Sequence, residues 1–142
     1  MTISETKEFA ERLAAEMPAR IYALTGDLGA GKTAFSQFFL RAVGAGGAIT
    51  SPTFVVMKPY PLDPPFKGKY SVAYHLDCYR LHDEHELAAL DFEKVIGNPS
   101  HIVLLEWADR VRGAIPPDAL WIEFAHEASD GERAIRIIPK KT

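Results

Sequence analysis

The chain has 142 residues, of which 47% are hydrophobic and 25% are charged, with a formal net charge of −3. These values are typical of one globular domain over residues 1–142. The acidic balance argues against a protein that binds nucleic acid by itself, since such domains usually carry a basic surface. The acidic balance does not exclude a protein that acts on RNA through a partner.

Targeting signals are not evident from the chain. The N-terminal residues Met1–Glu5 are polar and acidic, whereas a secretory signal needs a basic start and an apolar run. No apolar stretch approaches the ~20 residues needed to cross a bilayer. We therefore expect a cytoplasmic protein without a membrane span. Cys78 is the only cysteine, which excludes an intramolecular disulfide and favours a buried structural thiol.

The first predicted elements are a helix, a strand and a second helix. Thr2 or Ser4 can cap the first helix, which Pro18 ends. The apolar run Ile21–Leu24 leads straight into glycines and indicates a buried strand. Apolar residues at helical spacing then predict a helix over Lys32–Val43.

The glycine-rich segment between this strand and helix matches the pattern Gly-x-x-x-x-Gly-Lys-Thr from Gly26 to Thr33. Its backbone N–H groups and the helix N-terminus can bind the phosphates of ATP. Lys32 can reach the β- and γ-phosphates, and the Thr33 hydroxyl can ligate Mg²⁺. The predicted nucleotide-binding residues are Asp27, Leu28, Gly29, Ala30, Gly31, Lys32, Thr33 and Ala34.

The remaining chain is mainly strands. Proline-rich residues Pro59–Lys69 predict an exposed loop, and Asp83 with Glu86 predicts the capped start of a short helix. The predicted strands are Phe54–Met57, Tyr70–Tyr79, Ile102–Leu105, Leu120–Phe124 and Ala134–Ile138. This order predicts an α/β, P-loop NTPase-like three-layer domain with a mixed, mostly parallel central sheet.

Two acidic residues are candidate partners of the phosphate loop. Glu106 directly follows a buried strand and is the predicted second magnesium ligand, although a solvated carboxylate at a strand end is the alternative. Asp77 shares a strand face with His75 and Tyr79. It could bind magnesium through water or position the attacking water, with Arg80 stabilising phosphoryl charge. An Asp77–Arg80 salt bridge is an equally good interpretation.

Three other features each allow a functional and a structural interpretation. Thr53 is either a switch threonine that senses the γ-phosphate or part of a strand-entry turn. His82 and His85, with His75 nearby, fit the polar opening of a helix better than a metal site. Trp107 is more typical of packing than of ligand binding.

Four sequence blocks, taken in order, resemble the TsaE (YjeE) family. They are Gly26-Asp27-Leu28-Gly29-Ala30-Gly31-Lys32-Thr33, Ser51-Pro52-Thr53-Phe54, His75-Leu76-Asp77-Cys78-Tyr79-Arg80-Leu81 and Glu106-Trp107. The resemblance implies an ATPase required for the N6-threonylcarbamoyladenosine at position 37 of tRNAs reading codons that begin with A. It implies binding to a TsaB–TsaD complex, with tRNA reached only through that complex.

The resemblance also assigns residues. The magnesium ligands of the family correspond to Thr33 and Glu106, its functional acid to Asp77, and the threonine of its second block to Thr53. With Lys32, these give the predicted catalytic set Asp77, Thr53, Glu106 and Lys32, and the cofactors ATP and Mg²⁺. The chain departs from many members at Ala34, at Ala108 and in the proline-rich stretch, which puts partner-surface details in doubt rather than nucleotide binding.

Three other classes share the phosphate loop. A small-molecule kinase would transfer phosphate to an acceptor, but little chain remains for an arginine-rich lid beyond Arg110 and Arg112. A GTPase would need an Asn-Lys-x-Asp segment, which the sequence lacks. A non-catalytic nucleotide-binding module would not need the acids at the strand ends. We therefore expect hydrolysis, slow without the partner complex.

Overall fold

The computed structural model describes residues 2–26, 31–47, 49, 57–82, 85–126 and 133–138. Within these ranges the elements follow in the order α1 (Ile3–Glu16), β1 (Ile21–Gly26), α2 (Lys32–Ala42), β2 (Met57–Phe66), β3 (Tyr70–Asp77), α3 (His85–Ala88), α4 (Phe92–Gly97), β4 (His101–Glu106), a 3₁₀ helix (Ala108–Ala114), β5 (Leu120–His126) and β6 (Arg133–Ile138). No helix in the described ranges is long and apolar enough to span a bilayer.

In the described part of the chain, six strands form one sheet in the order β2-β3-β4-β1-β5-β6. The four inner strands are parallel, and the edge strands β2 and β6 are antiparallel to their neighbours. Leu24 of β1 and Asp77 of β3 both pair with Glu106 of β4. The carboxyl ends of three parallel strands therefore meet at one edge, where open α/β sheets bind ligands. The predicted mixed, mostly parallel sheet is confirmed.

Side chains alternate between two apolar clusters, one on each face of the sheet. Tyr22, Leu24 and Leu104 lie in the cluster that packs against α1 and α2. Ala23 and Leu105 lie in the cluster formed with the short helices on the opposite face. The central strands β1 and β4 are buried on both faces, which explains their continuous apolar runs. The result is the three-layer arrangement expected from the sequence.

The first helix begins at the earlier of its two possible caps. Thr2 accepts a hydrogen bond from the Glu5 N–H, and the Glu5 side chain accepts one from the Thr2 N–H. This reciprocal pair satisfies two donors that would otherwise lack partners. The helix ends at Glu16, and Met17 turns the chain out with a φ of 47° just before Pro18.

The predicted loop at Pro59–Lys69 is wrong, because β2 runs through most of it. Pro59 pairs with Tyr74 and Pro61 with Val72, so the prolines alternate along an edge strand. An edge strand bonds to its neighbour through alternate residues only, and proline can occupy the outward-facing positions, where no N–H is needed. Only the turn at residues 67–69 agrees with the predicted loop.

Other boundaries differ in smaller ways. The strand predicted over Tyr70–Tyr79 ends at Asp77, which leaves Tyr79 outside it. Helix α4 and the 3₁₀ helix were not predicted. Asp83, the predicted cap of the short helix, and residues 54–56 of one predicted strand lie outside the described residues.

Candidate functional site

The described glycines that flank the predicted phosphate loop have backbone angles that favour glycine. Gly26 ends β1 with a φ of 132°, and Gly31 precedes α2 with a φ of 103°. A Cβ atom on Gly26 would lie 1.8 Å from the Phe124 carbonyl oxygen. Glycine is therefore required where the chain leaves the sheet. The intervening loop residues Asp27, Leu28, Gly29 and Ala30 lie outside the described residues.

Helix α2 presents its N-terminus at this loop. Its first internal hydrogen bond runs from the Phe35 N–H to the Gly31 carbonyl oxygen, at 2.9 Å. The N–H groups of Lys32, Thr33 and Ala34 precede that bond and are not used within the helix. With the helix dipole, such groups form an anion-binding position. Phosphate is the anion that the sequence pattern predicts here.

The Lys32 side chain folds back over the loop entrance. It is 5% exposed, its Nζ atom donates to the Gly26 carbonyl oxygen at 2.6 Å, and it lies 3.8 Å from the centre of the Trp107 ring. Carbonyl and ring face both stabilise the ammonium group. Trp107 therefore does more than pack, because it contacts the lysine of the phosphate loop.

Thr33 and Glu106 converge from different elements. The Thr33 Oγ1 atom, on the first turn of α2, donates to Glu106 Oε1 at the end of β4 across 3.2 Å. A hydroxyl and a carboxylate are hard oxygen ligands, and protein Mg²⁺ sites often use only one or two residues beside phosphates and water. These two residues fit a magnesium ion. In the described part of the chain, no group of three or more His, Cys, Asp or Glu is arranged to hold a metal.

Glu106 has a second, buried partner. Its Oε2 atom lies 2.5 Å from His75 Nε2, and the residues are 3% and 0% exposed. Sequence reasoning placed His75 on the face of Asp77 but missed this contact. The sequence contained a signal for this contact, because Asp77 and Glu106 end neighbouring parallel strands and His75 lies two residues before Asp77.

Asp77 is the direct register partner of Glu106 but has a different environment. Its Oδ1 atom accepts a hydrogen bond from the Tyr79 N–H at 3.0 Å. Partial burial raises the pKa of Asp77 above its ordinary value; the Tyr79 hydrogen bond opposes this, and the Glu106 carboxylate adds to it. Arg80 is exposed, and the described residues include no Asp77–Arg80 ion pair. Of the two interpretations of this pair, the salt bridge is not formed.

An aromatic and cationic cluster lies next to these residues. The Tyr79 and Trp107 ring centres are 4.9 Å apart, and the Arg110 guanidinium lies 5.1 Å and 5.8 Å from them respectively. Thr25 donates to Asp109 across 3.0 Å, which ties the start of the 3₁₀ helix to β1. Sequence reasoning did not associate Arg110 or Asp109 with the site. Thr53 lies outside the described residues.

Comparison with known proteins agrees with this architecture. The sequence profile of the family "Threonylcarbamoyl adenosine biosynthesis protein TsaE" matches residues 1–135. The crystal structure of Bacillus subtilis YdiB matches with a TM-score of 0.73 at 30% identity, covering 99% of this chain and 82% of that chain.

Sequence relatives agree as well. The chain is 37% identical over 132 residues to the tRNA threonylcarbamoyladenosine biosynthesis protein TsaE of Bacillus subtilis, covering 92% of this chain and 77% of that protein. The protein of the same name from Haemophilus influenzae is 36% identical over 135 residues, covering 93% and 79%. This chain therefore belongs to the TsaE family.

Proposed function

We propose that residues 1–142 form one magnesium-dependent ATPase domain required for threonylcarbamoyladenosine modification of tRNAs that read codons beginning with A. The observation that supports it best is the meeting of Lys32, Thr33 and Glu106 at the start of α2, directly after the glycine that ends β1. The names of the relatives supply the pathway.

Nucleotide binding uses the loop and the first turn of α2. The backbone N–H groups of Asp27–Ala34 bind the phosphates, and the Lys32 ammonium exchanges the Gly26 carbonyl oxygen for phosphate oxygens. Thr33 and Glu106 would hold the magnesium ion. When bound, Mg²⁺ would neutralise charge that develops as the terminal phosphoryl group is transferred.

Asp77 and Thr53 act on the side of the γ-phosphate. Since Asp77 Oδ1 already accepts the Tyr79 N–H, Oδ2 is the atom available to orient the attacking water and accept its proton. The raised pKa makes this carboxylate a stronger base than a free aspartate. Thr53 supplies a hydroxyl that senses the γ-phosphate. Exposed Arg80 is a weaker candidate for stabilising phosphoryl charge.

A partner complex completes the cycle. We propose that the chain works in the cytoplasm with a TsaB–TsaD complex and reaches tRNA only through it. The net charge of −3 supports indirect contact, because phosphate-rich RNA favours basic surfaces. Hydrolysis by the chain alone is slow, since a residue supplied by a partner can accelerate such a site by ~10³ or more.

The test is ATP turnover with and without TsaB–TsaD, measured alongside tRNA modification. Wild-type protein should show stimulated turnover and support modification. Lys32→Ala should lose both, whereas Lys94→Ala, which removes an exposed lysine from α4, should retain both. ATP consumption that depends on an added nucleoside acceptor would favour a kinase instead. Calorimetry showing no adenine nucleotide binding would reject the proposal.

A further inference from the structure

The contact between His75 and Glu106 has no role in the proposed binding and hydrolysis of ATP. Both side chains lie on the face of the sheet that packs against α2, and both are buried, at 0% and 3% exposure. Glu106 pairs in register with Asp77, yet its carboxylate is bonded to His75, two residues earlier on β3. The side chain is therefore held diagonally across the two strands.

Among the described residues, the histidine ring has one partner for its two nitrogens. Nε2 faces Glu106, whereas Nδ1 is buried without a hydrogen-bond partner among the described residues. A proton on Nδ1 would bury a donor with no acceptor, which costs ~1–3 kcal/mol. The tautomer that avoids this cost carries the proton on Nε2 and leaves a bare lone pair at Nδ1. In that tautomer, the Nε2–H group donates to Glu106 Oε2.

Because of this bond, the two oxygens of the Glu106 carboxylate have different partners. Oε2 is occupied by His75, and Oε1 faces the Thr33 hydroxyl at 3.2 Å. A glutamate side chain without such a bond must lose rotamer freedom each time it binds a ligand. Partners that orient a metal ligand in this way commonly change metal affinity or activity by 10–100-fold when removed.

We propose that His75 is a positioning residue, which donates to Glu106 Oε2 and thereby directs Glu106 Oε1 toward the magnesium position beside Thr33. This inference rests on the proposed function, because it needs magnesium at that position. In this role His75 does not itself bind nucleotide or metal. It acts through Glu106 alone.

Three variants separate hydrogen bonding from packing. His75→Phe keeps a ring but removes the donor, and His75→Gln places an amide nitrogen near the position of Nε2. His101→Phe is the matched control, since His101 contacts Tyr74 and the Val95 carbonyl oxygen at the opposite end of β4. The measurement is ADP binding by calorimetry across a series of Mg²⁺ concentrations. His75→Phe should raise the half-maximal Mg²⁺ concentration ~10–100-fold, His75→Gln should restore most of it, and His101→Phe should match wild type.

Two further measurements complete the test. In a Glu106→Ala background, His75→Phe should cause no additional loss. Nitrogen-detected NMR of wild-type protein should show a proton on His75 Nε2, a result that does not depend on any variant folding.

The inference is overturned by a ring without a proton on Nε2, by unchanged Mg²⁺ dependence in folded His75→Phe, or by equal defects in the Phe and Gln variants. Any of these leaves the proposed function standing if wild-type protein binds Mg²⁺–ADP. Failure of the wild type to bind would overturn both.

Discussion

The two acids that face each other at the ends of β3 and β4 show how environment separates identical chemical groups. Among the described residues, Glu106 is bonded through both oxygens, whereas Asp77 is held through one oxygen by a single backbone N–H. Like charges opposite one another across neighbouring strands are unfavourable, so this arrangement costs stability. Sites that retain such a cost commonly need it for activity.

Replacing Asp77 with Asn tests this trade-off. Because the pKa of Asp77 is raised in the folded chain, stability is lost as pH rises through that pKa, and the ionised side chain destabilises the fold at neutral pH. Asn keeps an acceptor for the Tyr79 N–H but carries no charge. We expect Asp77→Asn to be more stable than wild type at pH 7 without nucleotide, with a smaller difference at about pH 4, the ordinary pKa of an aspartate.

Chemical denaturation at the two pH values measures this effect. The same variant should lose ~10²-fold or more in partner-stimulated ATP turnover, the contribution expected of a general base. Normal turnover would remove Asp77 from the catalytic set, and lower stability at pH 7 would contradict the electrostatic explanation.

Cys78 lies next to Asp77 but is chemically isolated. It is 0% exposed, and burial raises the pKa of its thiol to about 12, so roughly 10⁻⁵ of it is thiolate at pH 7. A disulfide reagent such as DTNB should therefore not label the native protein and should label one thiol per chain in denaturant. Rapid labelling of the native protein would show that the sheet end opens.

At the scale of elements, the sequence predicted those whose pattern is local. The strand Ile21–Leu24, the glycine segment and the amphipathic α2 each have an unambiguous pattern, and the buried strands ending near Asp77 and Glu106 follow from apolar runs. Parallel pairing then brings strand ends together, which is why the meeting of Lys32, Thr33 and Glu106 could be expected. These contacts required no knowledge of the detailed packing.

The elements that were missed depend on longer-range context. Proline in β2 argues against a strand unless that strand lies at the sheet edge, and strand order is not a local property. Helix α4 and the 3₁₀ helix have 6 and 7 residues, too short for helical periodicity to be distinctive. The His75–Glu106 contact depends on register and side-chain rotamers, which composition does not fix.

The junction between β1 and the loop gives a prediction for an element boundary. Gly26→Ala would place a methyl group 1.8 Å from the Phe124 carbonyl oxygen at a φ of 132°. Since neighbouring backbone must move, we expect a loss of about 2 kcal/mol or more in the free energy of unfolding.

Two glycines provide matched controls in urea denaturation. Gly44 has a φ of 105° with open space around it, and Gly46 has open space with no such φ. Gly44→Ala should therefore report backbone strain alone, and Gly46→Ala should change stability by about 0.5 kcal/mol or less. A Gly26→Ala variant as stable as Gly46→Ala would contradict the close approach of β1 and β5.

For the whole molecule, the site joins α2 to β1 and β4, so ligand binding should be linked to global unfolding. A ligand at 100 times its dissociation constant stabilises the folded state by about 2.7 kcal/mol. Mg²⁺–ADP should therefore raise the melting temperature of wild type and of Lys94→Ala, but not of Lys32→Ala. Equal shifts in all three proteins would place the nucleotide elsewhere.

The prolines of β2 also affect how one molecule meets another. Pro59 and Pro61 lie in register with residues of β3. Along the outer side of β2, they offer carbonyl oxygens but no amide hydrogens. A strand from a second molecule would find half of its complementary bonds missing there. Covalent structure therefore disfavours fibrillar growth by stacking onto this flank, and this effect does not depend on the ionic strength of the solution.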